Sequence, residues 1–239
     1  MKTKHIFFIP LIILFYNCNN DGNDTILYPK NVELTYSSQN DFQSWEGDFA
    51  DYSVVDVGIY ELEYEFSTLP EPLNTNKVAL KQSGNNHSDD LFMFIRKQIN
   101  ELEPNTNYTI SFELEFASNV ADNMVGVGGS PGEDVTIKVG ATNIKPEKIV
   151  DTYNDALAYI MNINKGNQSI GGSDMVVIGD FSNDTDLNEY KLKTIVTNET
   201  LTVSTNNQGE LWVIIGTDSG YEATTTIYYN LIKVTLEKQ

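Results

Sequence analysis

The sequence predicts an all-β chain folded as an antiparallel β-sandwich, and three observations carry that reading. First, "YTISFELEF" alternates Tyr108, Ile110, Phe112, Leu114 and Phe116 with Thr109, Ser111, Glu113 and Glu115. A period of two puts all five apolar side chains on one face of an extended strand, whereas a helix would scatter them. Second, "YELEYEF" repeats the device, with Tyr60, Leu62, Tyr64 and Phe66 set against glutamates. Third, the turn-forming stretches "SGNNHSDD", "GGSPGED", "NKGNQSIGGSD" and "TNNQGE" separate the apolar runs, as polar loops separate antiparallel strands.

Further strands are expected over residues 78–81, 91–95, 135–139, 175–178, 190–196, 201–204, 211–215 and 224–236, all short and rich in β-branched or aromatic residues. One short helix is expected over 150–159. Trp212, inside "LWVII", is expected in the core. A chain of 239 residues is long enough to bury a substantial core without disulfides, and it carries a single cysteine.

That cysteine, Cys18, follows Lys2, Lys4 and an apolar run over 6–16, the layout of an export signal. The run is shorter than the roughly 20 residues a membrane span needs, and Pro10 interrupts it. The expected organisation is therefore a signal over 1–17, a polar tether over 18–30 and one β-sandwich domain over 31–239. Acidic residues number 34 against 15 basic, for a net charge of −19. A nucleic-acid backbone is thereby excluded as the natural partner, because phosphate contacts need clustered Lys and Arg.

Three segments resemble known families. A cysteine after a short apolar run resembles the bacterial lipoprotein signal, although Phe15, Tyr16 and Asn17 stand where that family carries leucine and small residues. The resemblance implies acylation of Cys18, and the Asn-Asp-Gly run over 19–24 is similar to the tether of surface lipoproteins in the Bacteroidota. It also implies an exported protein of the outer membrane facing the cell surface. "LEPNTNYTISFEL" resembles the opening of a core strand in fibronectin-like and jelly-roll carbohydrate-binding domains. The closing "GTDSGYEATTTIYYNLIKVTL" is similar to the last loop and strand of galactose-binding-like jelly rolls. Together these imply a single jelly-roll domain and a polysaccharide or oligosaccharide as ligand, with no catalysis required of it.

The residues themselves narrow the chemistry. With one cysteine and two histidines in the chain, zinc sites of the Cys/His kind cannot be assembled. "GGSPG" formally matches a nucleophile elbow, but Pro131 lacks the backbone N–H that an oxyanion hole needs after the serine. In "NNHSDD", Asn86, His87, Asp89 and Asp90 crowd donors and acceptors into one loop. They suit either sugar contact or a turn whose side chains bond their own backbone. Trp45 in "SWEGDF", and Tyr221 with Glu222 in "SGYE", are the expected exposed platform and its neighbouring acid. "DFSNDTD" offers Asp180, Asn183, Asp184 and Asp186 as oxygen ligands for a structural calcium, with Asp218 and Glu222 a weaker pair. Two rivals stand beside a glycan binder. One is a jelly-roll glycoside hydrolase or lyase using paired carboxylates near His87; the other is an adhesive lipoprotein without a small ligand.

Overall fold

The computed structural model describes residues 27–37, 39–153, 155–198 and 201–239. Cys18 and the signal region lie outside the described residues. The elements run β1 (Asn31–Tyr36), a helical turn α1 (Gln39–Phe42), β2 (Glu46–Ala50), β3 (Tyr52–Ser53), a 3-10 turn (Val57–Tyr60), β4 (Glu63–Thr68) and β5 (Val78–Asn85). They continue with β6 (Leu91–Ile99), β7 (Asn107–Ser118), β8 (Val135–Thr142), β9 (Lys148–Tyr153), β10 (Ala156–Met161) and β11 (Met175–Asp180). The chain closes with β12 (Lys191–Val196), β13 (Leu201–Ser204), β14 (Leu211–Ser219) and β15 (Thr224–Lys238).

One large sheet has the order β12-β7-β15-β5-β4, with β1 on β15 and β13 on β7; the other has the order β11-β8-β14-β6-β2. Every pairing between these strands is antiparallel. Within them, β5-β15-β7-β12 faces β6-β14-β8-β11, and the chain crosses between the two sets in the order that defines a jelly roll. The expected all-β jelly-roll sandwich is thus the observed fold.

Alternation explains the core. Tyr108, Ile110, Phe112, Leu114 and Phe116 of β7 are all buried, in one cluster with Leu91, Met93 and Ile95 of β6, Val135, Ile137 and Val139 of β8, and Val213 and Ile215 of β14. Each such side chain contributes roughly 1.5–3 kcal/mol on leaving water. β15 needs a correction to strict alternation, since Ile227 and Tyr229 face inward and so do Ile232, Val234 and Leu236. A bulge between Tyr229 and Leu231 supplies the missing residue, shifting the inward phase by one. Asn230 in the bulge is buried and donates its side-chain amide to the Glu115 carboxylate.

Three expectations are corrected. Residues 150–159 are not helical, for β9 and β10 form a hairpin there, with Asp155 at a φ of 63° in the turn. Ile149, Val150, Thr152 and Tyr153 favour the extended backbone, and pairing with β10 satisfies it. Trp212 is half-buried on the outer face of its sheet, its ring under the Lys145 ammonium at 5.2 Å, because Leu211, Val213 and Ile215 take the inward phase of β14. Tyr60 and Leu62 precede β4, and Phe66 on that edge strand is 37% exposed.

The outer face of the β6–β14–β8 sheet is covered in its turn. Phe92, Phe94, Ile214 and Met175 pack there against Ala50, Met161 and Ile163. The β3–β10–β9 sheet and the loop over 162–174 therefore enclose side chains that point away from the main core. Polarity along β15 sets the two poles of the sandwich. Thr224 pairs with Asn85 beside the 86–90 turn, whereas Glu237 pairs with Asn31 at the start of β1.

Candidate functional site

The pole at the start of β15 gathers four loops: 86–90, 125–134, 162–174 and 220–223. Asn86 ties two of them together. Its amide donates to the carbonyls of Ser219 (2.8 Å) and Tyr221 (3.0 Å), while Oδ1 accepts from the backbone of Ser88 (3.1 Å) and Leu91 (3.3 Å). All of its capacity for hydrogen bonds is therefore used internally. His87 is exposed and meets the Tyr60 ring edge-on at 5.9 Å. Asp89 is exposed with a φ of 61°, and its carbonyl accepts from Gln168 Nε2 at 2.7 Å.

Tyr221 does not stand free as a platform. It is half-buried against the core, and Gly126 passes so close that a Cβ there would lie 2.4 Å from the ring. Glu222 is exposed beside Gly128, whose φ is 75°. Trp45 is absent from this pole. It precedes Glu46, which pairs with Arg96, whereas Ala50 at the other end of β2 pairs with Phe92. It is also 3% exposed, packed at right angles on Tyr36 at 5.3 Å. Its apolar ring surface was worth more inside than the polar neighbours in sequence suggested.

Beneath the loops lies an ionic cluster that sequence reading missed. Lys138 Nζ donates to Asp218 Oδ2 (2.7 Å) and to the carbonyls of Lys165 (3.1 Å) and Ile170 (2.9 Å). Lys165 Nζ donates to the same Asp218 oxygen at 2.7 Å and lies 2.8 Å from Asp51 Oδ2 and 3.9 Å from Asp90 Oδ1. Asp51, Asp90 and Asp218 each bring a carboxylate oxygen within 4.8 Å of the others. In that space the ammonium groups supply the positive charge a metal would supply. Three carboxylates against two ammonium groups leave one negative charge over, and the carboxyls respond. Burial pushes Asp90 up to about 7, opposed by Lys165 and reinforced by Asp218 and Asp51. Burial likewise raises Asp51, against the pull of Lys165. Burial draws Lys165 down, but Asp218, Asp51 and Asp90 outweigh it and hold the ammonium above its ordinary range.

The expected calcium loop is organised by a lysine too. Lys193 Nζ lies 2.9 Å from Asp180 Oδ1 and 2.9 Å from Asp184 Oδ1, the place a calcium would take. Asn183 is buried and donates to the carbonyls of Leu187 and Glu189, and Asp186 is exposed. Lys193 thus bridges Asp180 and Asp184, while Asn183 bonds inside the turn.

Above the cluster opens a pocket of about 260 Å³, lined by Asp89, Gly128, Asp134, Thr136, Gln168, Ser169 and Gly220. Gln168 and Ser169 come from the loop that Lys138 and Lys165 hold down. Thr136 is 3% exposed, and its hydroxyl has no hydrogen-bond partner among the described residues. Asp134 Oδ2 accepts the backbone N–H of Ser130 at 2.6 Å. The lining is polar, supplied by carboxylate, amide and hydroxyl groups from separate loops. Of the residues singled out in the sequence, only Asp89 lines this pocket. Thr136 sits inside a strand and Gln168 in a loop of ordinary composition, so neither carried a signal.

No known protein family matches the chain, and no curated protein does. Solved structures it resembles include the enzymatically active domain of the bacteriophage CBA120 tailspike protein 4, at 11% identity and a TM-score of 0.35 over 80% of this chain and 19% of that one. TmCBM61 in complex with β-1,4-galactotriose matches at 12% identity and 0.33, over 80% and 88% of the two chains. The mannan-recognising carbohydrate-binding module TmCBM27 matches at 10% identity and 0.35, over 88% and 99%. The chain thus spans about a fifth of the phage tailspike domain.

Proposed function

We propose that this protein is an exported lipoprotein, anchored through Cys18, whose β-sandwich binds a glycan in the pocket at the loop pole without transforming it. The observation that carries the binding is the pocket, where Asp89, Asp134, Thr136, Gln168 and Ser169 converge. Sugars present rings of hydroxyls, and a concave site with several fixed acceptors and donors suits them. The anchor fits the same picture, since β1 begins at the opposite pole and a tether leading into it would hold the pocket away from the membrane. Acylation would contribute about 0.8 kcal/mol per buried methylene, so two or more chains hold a protein stably.

Glycan-array binding tests the reading, with Asp134→Ala and Gln168→Ala expected to lose at least tenfold in affinity. Retention of full affinity by both variants, or no binding to any glycan, would sink it. Mass spectrometry of the native protein tests the anchor, which predicts an N-terminal Cys18 carrying acyl mass. A chain starting elsewhere or lacking that mass refutes it. One observation favours a hydrolase or lyase, namely Asp90 titrating near 7 beside a second carboxylate. Its partner Asp218 has no solvent exposure, so a substrate could not reach both. Reducing-sugar release that Asp90→Asn abolishes would reverse this ranking.

A further inference from the structure

We propose that the pocket selects a glycan residue bearing a free ammonium group, an unacetylated amino sugar, over neutral or acidic sugars; this rests on the glycan-binding reading. Two carboxylates, Asp89 and Asp134, line the pocket, and Glu222 lies against Gly128 on its wall. Neither lining carboxylate has a cation paired to it among the described residues. Asp89 is exposed, and its carboxylate makes no bond among the described residues; Asp134 accepts only the Ser130 backbone N–H, through Oδ2.

The ammonium groups in the pocket's supporting strand and loop are already committed. Lys138 is fully buried on Asp218 and the Lys165 and Ile170 carbonyls, and Lys165 is held by Asp218 and Asp51. Neither can neutralise a ligand's acid, so a uronic or sulfated sugar would meet uncompensated negative charge. An ammonium group makes charge-assisted hydrogen bonds about twice as strong as those of a neutral hydroxyl. Thr136, a residue only 3% exposed, turns onto the same space and adds a hydroxyl that makes no hydrogen bond among the described residues. That hydroxyl is therefore open to a ligand in the pocket, as donor or acceptor.

Calorimetric titration of the intact protein tests this with four probes: a glucosamine oligosaccharide, its N-acetylated equivalent, a glucuronate oligosaccharide and spermidine. The expected result is that the amino oligosaccharide binds at least tenfold tighter than the N-acetylated one, that the margin shrinks with added salt, and that glucuronate does not bind. Asp89→Asn should remove most of the margin, and asparagine accepts the positive φ at this position, so the loop survives the change. Equal binding of both glucosamine forms overturns the selection for an amine while leaving glycan binding intact. Spermidine binding as tightly as the amino oligosaccharide overturns the sugar part. No binding of any sugar in the panel removes the glycan reading itself.

Discussion

Lys138 and Asp218 form an ion pair of 2.7 Å with both side chains fully withdrawn from solvent. They sit on neighbouring strands, β8 and β14, and point out of the sheet into the space closed by the 162–174 loop. Such a pair holds its surroundings in one arrangement, because losing Asp218 would leave Lys138 buried without a counter-charge, and losing Lys138 would leave the three carboxylates against Lys165 alone. Lys138→Met is expected to cost about 3–5 kcal/mol, read as a lower urea midpoint. It should also loosen the loop that carries Gln168 and Ser169, seen as faster amide exchange there. An unfolding free energy within about 1 kcal/mol of wild type would mean the pair is dispensable.

Asp90 makes the stability of the domain depend on pH with a definite sign. Its carboxyl is raised to about 7 in the folded protein, chiefly by burial, against roughly 4 in an unfolded chain. The folded state therefore keeps a proton the unfolded state has lost, and that contribution is complete below pH 4 and gone once pH passes 7. Asp51 is raised too and acts in the same direction. Glu46 and Asp180 are held below the ordinary range, with burial opposing but outweighed by Lys145 and Arg96 for the first and by Lys193 and Ser182 for the second. Their contribution is lost as pH falls below about 4. Tm should consequently be about 5 °C higher near pH 5 than at pH 8, and Asp90→Asn should flatten that slope. A Tm rising from pH 5 to 8 contradicts this account.

Trp45 belongs to the core. Trp45→Ala is expected to destabilise by about 3–5 kcal/mol while leaving glycan affinity per folded molecule unchanged. Denaturation and titration on the same sample separate the two effects.

Lys193 puts the calcium expectation to a test. With its ammonium 2.9 Å from both Asp180 and Asp184, added calcium should leave Tm within 1 °C of the value in chelator. Lys193→Met removes that ammonium and should lower Tm, with calcium then recovering part of the loss. A rise of several degrees on adding calcium to wild type would show that the ion displaces the lysine.

Sequence alone determined the sandwich and most of its strands, though not β1, β2, β3, β9 or β10. The alternation of Tyr108 to Phe116 is a local pattern, and the pleat converts it directly into one buried and one wet face. Strand 201–204 matches β13 for the same reason. The 150–159 segment misled because a short apolar run reads equally well as helix or strand until a partner strand is present. Trp45 and Trp212 show the limit of local composition. Polar neighbours did not keep the first exposed, and apolar neighbours did not bury the second.

The site was decided only by tertiary structure. Asp51, Asp90, Lys138, Lys165 and Asp218 come from five separate segments, and nothing in any one of them marks a charged cluster. Lys138 in "VTIKVG" is spaced as an ordinary outward-facing residue, and it is buried because a loop some thirty positions later folds over it. Periodicity records which face a side chain takes, since that is a property of the strand carrying it. What covers that face depends on chain closure between distant segments, and that became visible only when the sandwich was assembled.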